Sequence, residues 1–157
     1  MVSQPGPQYL SKEKYQQLQE ELNKLVTITI PLIAKRIDDA KQMGDLSENA
    51  EYQTAREEMA WAQSRIKEIG YILQQAQIIE DGGLTHDVVQ IGSKIIVETN
   101  GKKKEYTIVG AQEADPLTGK ISNESPLGVA FLGKKGGDRI HVQVPAGNLE
   151  YTIVGIE

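Results

Sequence analysis

Two acidic residues, Asp45 and Glu48, stand three residues apart between two long amphipathic stretches of this sequence. If a helix begins there, positions i and i+3 share one face, so both carboxylates can point the same way. Carboxylate oxygens are the ligands that a hard cation such as Mg²⁺ accepts while it keeps several of its waters. The pair is therefore a candidate partial site for a divalent metal.

The same spacing also fits a helix start that binds no metal. An acid three residues after an N-cap residue is typical of a capping box, and acidic side chains are favoured at the positive end of a helix dipole. Because caps occur at most helix starts, capping is the commoner role for such a pair. On the residues alone, both roles of Asp45 and Glu48 stay open.

Two stretches with helical periodicity flank the acidic pair, and the helices that they predict would position it. Before the pair, apolar residues recur at spacings of three and four: Tyr15, Leu18, Leu22, Val26, Ile30, Ile33, Ile37 and Ala40. The β-branched run before Pro31 is poor helix material, so we expect a kink near Thr27 rather than a strand. After the pair, the same spacing is unbroken: Tyr52, Ala55, Met59, Ala62, Ile66, Ile69, Leu73 and Ala76. Such a seam is typical of paired helices.

Two consecutive helices joined by a short turn pair antiparallel. Residues 11–79 are therefore predicted to form an antiparallel coiled-coil hairpin, with residues 44–52 at its tip, after a short flexible lead over residues 1–9. The glycines of Glu80-Asp81-Gly82-Gly83 predict the end of the hairpin and a linker. The predicted domains are thus residues 1–80 and residues 81–157.

The second half alternates apolar and polar residues, which is typical of strands. Asn100-Gly101 lies between two such runs and predicts a β-hairpin, and a second hairpin is predicted for Arg139–Val144 and Leu149–Val154. The hexapeptide EYTIVG, present in each hairpin, indicates two strands in similar half-buried environments. Between the hairpins, Ser125-Pro126 predicts the start of a short helix. The predicted fold class is α+β.

Composition narrows the possible functions. The 157 residues include no Cys, so disulfides and thiolate metal sites are excluded, and the net charge is −5 with no basic half. Tight binding to free nucleic acid rests on a basic face, so a partner protein must hold any nucleic acid involved. No apolar run approaches the roughly 18 residues of a membrane span. We expect a soluble cytoplasmic protein without membrane contact.

The run GDLSENAEYQTAREEM at residues 44–59 resembles the tip of the GreA-type bacterial transcript-cleavage factors, which share a Gly-Asp-x-x-Glu-Asn-Ala-Glu-Tyr core. The C-terminal half resembles the FKBP-like domain of the same family at Glu113-Ala114-Asp115, at Ile121-Ser122 and at Ser125-Pro126-Leu127-Gly128. Lys14 departs from the Gly usual in the family. The resemblance implies an N-terminal coiled-coil hairpin followed by a small FKBP-like antiparallel-sheet domain with one short helix.

The resemblance also implies an activity. The C-terminal domain would dock on RNA polymerase, with Asp115, Ser125 and Pro126 in the contact, and the tip would enter the secondary channel. There Asp45 and Glu48 would help to hold a Mg²⁺ shared with the polymerase, whose own cleavage of backtracked RNA would be stimulated. Lys41 and Arg56 would face the RNA, which is met, like the DNA template, only within the elongation complex.

By this resemblance the protein is no enzyme by itself, and we expect it to act as a monomer. Three other functions remain open: a secondary-channel inhibitor of the same shape, an FKBP-like prolyl isomerase with a coiled-coil handle, and a structural adaptor. Inhibitory relatives carry additional tip acids, an isomerase needs an aromatic-lined pocket, and an adaptor leaves the tip acids unexplained. Leu46 and the run Gln53–Arg56 favour a GreA-like over a GreB-like subtype.

Overall fold

The computed structural model describes residues 6–80 and 86–157 of the chain. The fold is mixed α+β and divides into two compact units. One unit, Tyr15–Gln75, is helical, and the other comprises the described residues before and after it and contains both sheets. The predicted linker at Asp81-Gly82-Gly83 lies outside the described residues. Among those that are described, no helix is long and apolar enough to cross a membrane.

Three long helices carry the helical unit: α1 (Lys12–Lys24), α2 (Ile30–Lys41) and α3 (Ala50–Gln74). Ion pairs show their relative direction. Arg36 of α2 pairs with Glu51 and Glu58 near the start of α3, whereas Glu21 of α1 pairs with Arg65 further along α3. The segment that ends at Lys41 and the helix that follows therefore run antiparallel.

A turn of π-helix, Leu25–Thr29, joins α1 to α2 at the place where the sequence predicts a kink. The N–H of Ile30 donates to the carbonyl oxygen of Leu25, five residues earlier. Pro31 has no N–H and its ring crowds the carbonyl four residues before it, so a regular α-turn is disfavoured here. The hydroxyl of Thr27 donates to the carbonyl of Asn23 at 2.7 Å. The chain stays helical, and no strand forms.

The π-turn shifts the buried seam by one residue. Leu18 and Leu25 are buried seven residues apart, but the next buried position, Ile33, follows after eight, and Ala40 after seven again. A π-turn takes up one residue more than an α-turn, which accounts for the longer interval. Val26, predicted to lie in the seam, is 50% exposed, and Leu25 occupies its place at 6%.

A two-stranded parallel sheet pairs the two ends of the N-terminal half. Strand β1 (Gln8–Leu10) lies beside β2 (Ala76–Ile78), and the N–H of Ile79 donates to the carbonyl of Leu10 at 2.9 Å. The predicted flexible lead is therefore wrong for residues 8–9, and the predicted helix to residue 79 ends instead at Gln74. Burial explains the change, because Leu10 is 0% exposed once the strands pair.

Within the part of the chain that the structure describes, the larger sheet has five strands: β3 (Lys94–Thr99), β4 (Lys102–Val109), β5 (Lys120–Ser122), β6 (Arg139–Val144) and β7 (Gly147–Ile156), in the order β5-β4-β3-β7-β6. Both predicted hairpins are confirmed. Asn100 and Gly101 have φ of 52° and 72°, as a type I′ turn requires. The two EYTIVG copies lie in β4 and β7, which flank β3 on either side.

The predicted antiparallel pairing is confirmed for β3 with β4, β3 with β7 and β6 with β7. It is wrong for β5, which pairs parallel with β4. Two 3-10 turns, Ala111–Glu113 and Pro116–Thr118, carry the chain back along β4 before β5 begins. The short helix α4 (Pro126–Phe131) is confirmed, with Ser125 as its N-cap. Among the described residues, the core beneath the sheet contains ten buried side chains: Val89, Ile95, Val97, Ile108, Ile121, Phe131, Ile140, Val142, Tyr151 and Ile153.

The compact units do not coincide with the predicted domains of residues 1–80 and 81–157. The start of α1 belongs to the sheet-containing unit, where Ser11 donates to Glu113 from its N–H at 2.8 Å and from its hydroxyl at 2.6 Å. The same hydroxyl accepts the N–H of Lys14 at 3.1 Å. A contact between residues so distant in sequence leaves no local pattern from which it could be predicted.

Candidate functional site

The acidic pair lies in the turn between α2 and α3. The turn begins after Lys41, and the N–H of Met43 still donates to the carbonyl of Ala40 at 3.1 Å. Gly44 follows with φ of +133°, a conformation that residues with a Cβ rarely adopt. The chain reverses there, and residues 41–48 are exposed.

Asn49, not Asp45, caps α3. Its backbone is extended, and its Oδ1 accepts the N–H of Tyr52 at 3.1 Å. The capping interpretation of Asp45 and Glu48 is therefore wrong, because both residues precede the cap. Their i, i+3 spacing does not place them on one helical face, since α3 begins at Ala50.

Asp45 is held in place by Ser47. The Oδ1 atom of Asp45 accepts the N–H of Ser47 at 3.0 Å and its hydroxyl at 2.9 Å. These two hydrogen bonds, the backbone one foremost, lower the pKa of Asp45 below its usual value. Hydrogen bonds to the charged form favour ionisation, so Asp45 presents a carboxylate at neutral pH. Its second oxygen accepts no hydrogen bond from any described residue.

Glu48 is also exposed, and its carboxylate has no hydrogen bond or ion pair among the described residues. Two solvent-facing carboxylates three residues apart fit the oxygen ligands that Mg²⁺ takes. Nowhere in the described ranges do three His, Asp or Glu side chains gather in a way that could hold a metal ion. The donor set thus suits a cation whose other ligands come from water or from another molecule.

The two basic residues singled out by the sequence lie on either side of the turn. Lys41 is the last residue of α2 and is exposed. Arg56 lies two turns into α3, with its Cζ 5.7 Å from the centroid of the Tyr52 ring. That geometry is a cation–π contact, worth about 0.5–1 kcal/mol at an exposed site. It restricts the guanidinium while leaving its N–H groups accessible.

Sequence reasoning missed Arg36, which links α2 to α3 close to the turn. Its guanidinium pairs with Glu58 and, at 3.0 Å, with Glu51. Hydrogen bonds to Glu58 and then to Glu51 raise the pKa of Arg36. Arg36 and Glu51 are fifteen residues apart, so no periodicity within one helix indicates the contact. Only the antiparallel pairing of the helices brings the charges together.

The predicted docking residues lie around a cleft of about 370 Å³ in the sheet-containing unit, lined by Tyr106, Ala114, Pro116, Lys120, Ile121, Ser122, Ser125 and Leu127. Asp115 borders the cleft, and its Oδ1 accepts the N–H of Leu117 at 3.1 Å. Ser125 lines it while its hydroxyl accepts the N–H of Gly128 and donates to the carbonyl of Ser122. Pro126 opens α4 beside it. Leu117, whose N–H donates to Asp115, is itself 98% exposed, so an apolar side chain faces solvent next to the cleft.

Comparison with known proteins covers almost the whole chain. The family model "Transcription elongation factor, N-terminal" matches residues 8–78, and "Transcription elongation factor, GreA/GreB, C-term" matches residues 84–157. The chain is 45% identical over 154 residues to transcription elongation factor GreA of Roseiflexus castenholzii, covering 96% of this chain and 98% of that protein. GreA of Roseiflexus sp. strain RS-1 is 46% identical over the same coverage.

Among solved structures, GreA factor homolog 1 of Thermus thermophilus is similar, with 28% identity, a TM-score of 0.45, and coverage of 96% of this chain and 99% of that one. The family assignment rests on the sequence matches, which extend through both compact units and include the turn that carries Asp45 and Glu48. The chain belongs to the GreA/GreB family of transcription elongation factors.

Proposed function

We propose that this protein binds RNA polymerase and stimulates the Mg²⁺-dependent cleavage of backtracked RNA by the polymerase itself. The observation that supports the proposal is the exposure of the Asp45 and Glu48 carboxylates in the turn between α2 and α3. Neither caps a helix, both are exposed, and Asp45 is held as a carboxylate by Ser47. In a member of this family, such a pair is best explained as part of a site that a larger partner completes.

The two units take different parts in this function. The helices α1 to α3 act as an antiparallel coiled-coil hairpin that carries the turn into the secondary channel. The other unit acts as an FKBP-like docking domain, with Asp115, Ser125 and Pro126 at the contact. A single copy suffices, and the protein acts in the cytoplasm, where a bacterial polymerase works.

This chain would contribute only two carboxylates to the cleavage reaction. A Mg²⁺ held by Asp45, Glu48 and polymerase groups would stabilise the charge that develops when a phosphodiester is cleaved. The carboxylates of this chain supply anionic oxygens at fixed positions and orient water beside them. Because all other ligands belong to the polymerase, the protein is an accessory factor and not an enzyme by itself.

The charge distribution fits a factor that does not hold nucleic acid alone. The net charge is −5, whereas binding to free RNA or DNA needs many cations to displace counterions. Lys41 and Arg56 provide positive charge only beside the turn. They would contact the RNA near its 3′ end once the polymerase has presented it.

A prolyl isomerase activity is not supported by the aromatic side chains. An isomerase pocket needs rings that face a ligand, but Phe131 is fully buried and Tyr151 nearly so. Their ring centroids lie 5.6 Å apart at a steep angle, and Tyr106 packs on both. The rings fill the core, and only Tyr106 reaches the cleft.

A stalled, backtracked elongation complex with 3′-labelled RNA tests the proposal. Adding the protein should release a short labelled 3′ fragment, and the remaining RNA should resume elongation when nucleotides are supplied. The same protein with naked RNA and Mg²⁺ is the control and should give no product. Cleavage of naked RNA, or none with the complex, would contradict the accessory role.

A further inference from the structure

The side chain of Asn49 bonds in two directions. Its Oδ1 accepts the N–H of Tyr52 in the first turn of α3 at 3.1 Å. Its Nδ2 donates to the carbonyl of Ala40 in the last turn of α2 at 2.6 Å. One amide group therefore ties the end of one helix to the start of the next, across the turn that carries Asp45 and Glu48.

The bond to Ala40 satisfies a carbonyl at the C-terminal end of α2. Carbonyls in the last turn of a helix lack an intrahelical partner, yet that of Ala40 accepts both the N–H of Met43 and the amide of Asn49. The Ala40 side chain is buried, as is that of Ala55. The amide thus joins two backbones at a point where the helices are already closely packed.

Other hydrogen bonds extend this connection to the acidic pair. The Nε2 of Gln53 donates to the carbonyl of Ser47 at 3.2 Å, and Ser47 holds Asp45. Asn49 is adjacent to Glu48 in the chain. Both carboxylates therefore project from a segment whose two ends are fixed by the same side chain.

We propose that Asn49 is a positioning residue for the carboxylates of Asp45 and Glu48, acting through its bridge to Ala40 rather than through its cap alone. The inference rests on the proposed function. A metal site held jointly with a partner requires ligand atoms placed within about 0.5 Å, and a misplacement of about 1 Å can cost a hundredfold in rate. A turn with one end released would not keep that placement.

The chemistry of the amide allows the two hydrogen bonds to be separated. Serine is as good an N-cap as asparagine, so Asn49→Ser keeps an acceptor for the N–H of Tyr52, but its hydroxyl is too short to reach Ala40 as well. Asn49→Ala removes both bonds. Arg65→Gln is the matched control, because it removes another interhelical contact, the 2.7 Å ion pair between Arg65 of α3 and Glu21 of α1, which lies away from the turn.

The variants are compared as full-length proteins in three measurements: thermal unfolding, affinity for polymerase, and cleavage at saturating factor over a Mg²⁺ series. We expect Asn49→Ser to keep its affinity and most of its thermal stability. Its maximal cleavage rate should fall at least tenfold, and half-maximal cleavage should need more Mg²⁺. Arg65→Gln should lower the unfolding temperature without either change in cleavage.

A fourth measurement does not depend on the polymerase. Backbone ¹⁵N relaxation of the free protein should show residues 45–48 as ordered in the natural sequence and more mobile in Asn49→Ser. Unchanged order in that variant, or cleavage equal to that of the natural protein at every Mg²⁺ concentration, would overturn the role of Asn49. Failure of the natural protein to stimulate cleavage would instead refute the proposed function, and the relaxation data would still decide whether Asn49 fixes the turn.

Discussion

Ser47 donates two hydrogen bonds to one carboxylate oxygen of Asp45, at 3.0 Å from its N–H and at 2.9 Å from its hydroxyl. Both bonds favour the ionised form and lower the pKa of Asp45. They also restrict the carboxylate to one orientation, with its second oxygen free of hydrogen bonds to the described residues. A small polar residue between the two acids thus holds one of them as an oriented carboxylate.

Replacing Ser47 by Ala should raise the pKa of Asp45 part of the way to its usual value, because the backbone donor remains. A lowered pKa stabilises the fold above the usual pKa, and this contribution is lost as the pH falls through the lowered value. In Ser47→Ala this contribution should be smaller, and its loss should be complete at a higher pH, because the pKa of Asp45 lies closer to its usual value. Carboxyl-carbon NMR titration of the free protein measures the shift, and Ser47→Thr, which keeps a hydroxyl, is the control. An unchanged pKa in the Ala variant would show that the hydroxyl bond is not formed in solution.

The cleft in the sheet-containing unit leads to a prediction about docking alone. Asp115→Asn removes a charge but keeps an oxygen that can accept the N–H of Leu117. If this residue contacts the polymerase, affinity should fall about tenfold, which corresponds to about 1.4 kcal/mol. Maximal cleavage at saturating factor should not change.

Asp138→Asn is the matched control for docking. Asp138 also accepts a turn N–H, that of Lys135, through its side chain at 2.8 Å. Its chain neighbours do not line the cleft, whereas Ala114 and Pro116 on either side of Asp115 do. Competition against the labelled natural protein gives both affinities. Equal affinities of the two variants would remove Asp115 from the docking contact.

The helical half of the fold was predictable because the spacing of its apolar residues is a local feature of the sequence. That spacing does not determine the backbone geometry at a proline. The seam along α3 is confirmed at Ala55, Ala62 and Ile69. Around Pro31, however, the spacing cannot show how the backbone accommodates a missing N–H. A kinked α-helix and a π-turn can both accommodate Pro31. They differ in which residue of the turn before Pro31 is buried, Val26 or Leu25.

Leu25→Ala and Val26→Ala distinguish those solutions. In the structure Leu25 is buried and Val26 exposed, so Leu25→Ala should destabilise the protein by about 2–5 kcal/mol. Val26→Ala should stay within about 0.5 kcal/mol, as is usual for surface substitutions. Urea unfolding followed by helical circular dichroism gives both values. The reverse order would favour the regular seam that the sequence predicts over the π-turn.

Interactions distant in sequence account for the remaining errors in the predicted fold. The Asn100-Gly101 hairpin was predictable because its turn chemistry is contained in two residues. The pairing of Gln8–Leu10 with Ala76–Ile78 joins segments nearly seventy residues apart and leaves no such signal. The position of the cap was missed for another reason: Asp45 and Asn49 are both good caps, and the sequence does not show that α3 begins at Ala50.

Leu10→Ala tests the unpredicted strand. Because Leu10 is 0% exposed, its truncation should cost about 2–5 kcal/mol, whereas truncation of an unpaired residue before the helix would cost almost nothing. The amide of Ile79, which donates to Leu10, should lose hydrogen-exchange protection in the variant. Tyr9→Ala, at a half-exposed neighbouring position, is the control. Full protection of Ile79 in Leu10→Ala would contradict the pairing.

The proposed role of the turn in cleavage is tested by Asp45→Asn and Glu48→Gln, which keep size and most hydrogen-bonding capacity but remove anionic oxygens. Because Asn49 is the cap, each change should alter stability by no more than about 0.5 kcal/mol, less than the roughly 1 kcal/mol that loss of a cap costs. Cleavage should nevertheless collapse, while affinity for polymerase is retained.

Two features of that loss separate metal binding from any other role of the acids. Raised Mg²⁺ should partly restore each single variant, because mass action offsets a weakened site. At the lowest Mg²⁺ concentrations the double variant should be little worse than either single one, since loss of one ligand then leaves the site largely empty and residues that act as a unit are not additive. Asn49→Ser, in which both acids remain, should respond to added Mg²⁺ more fully than the single acid variants. Near-normal cleavage by the double variant would exclude metal binding by Asp45 and Glu48 as the basis of the stimulation.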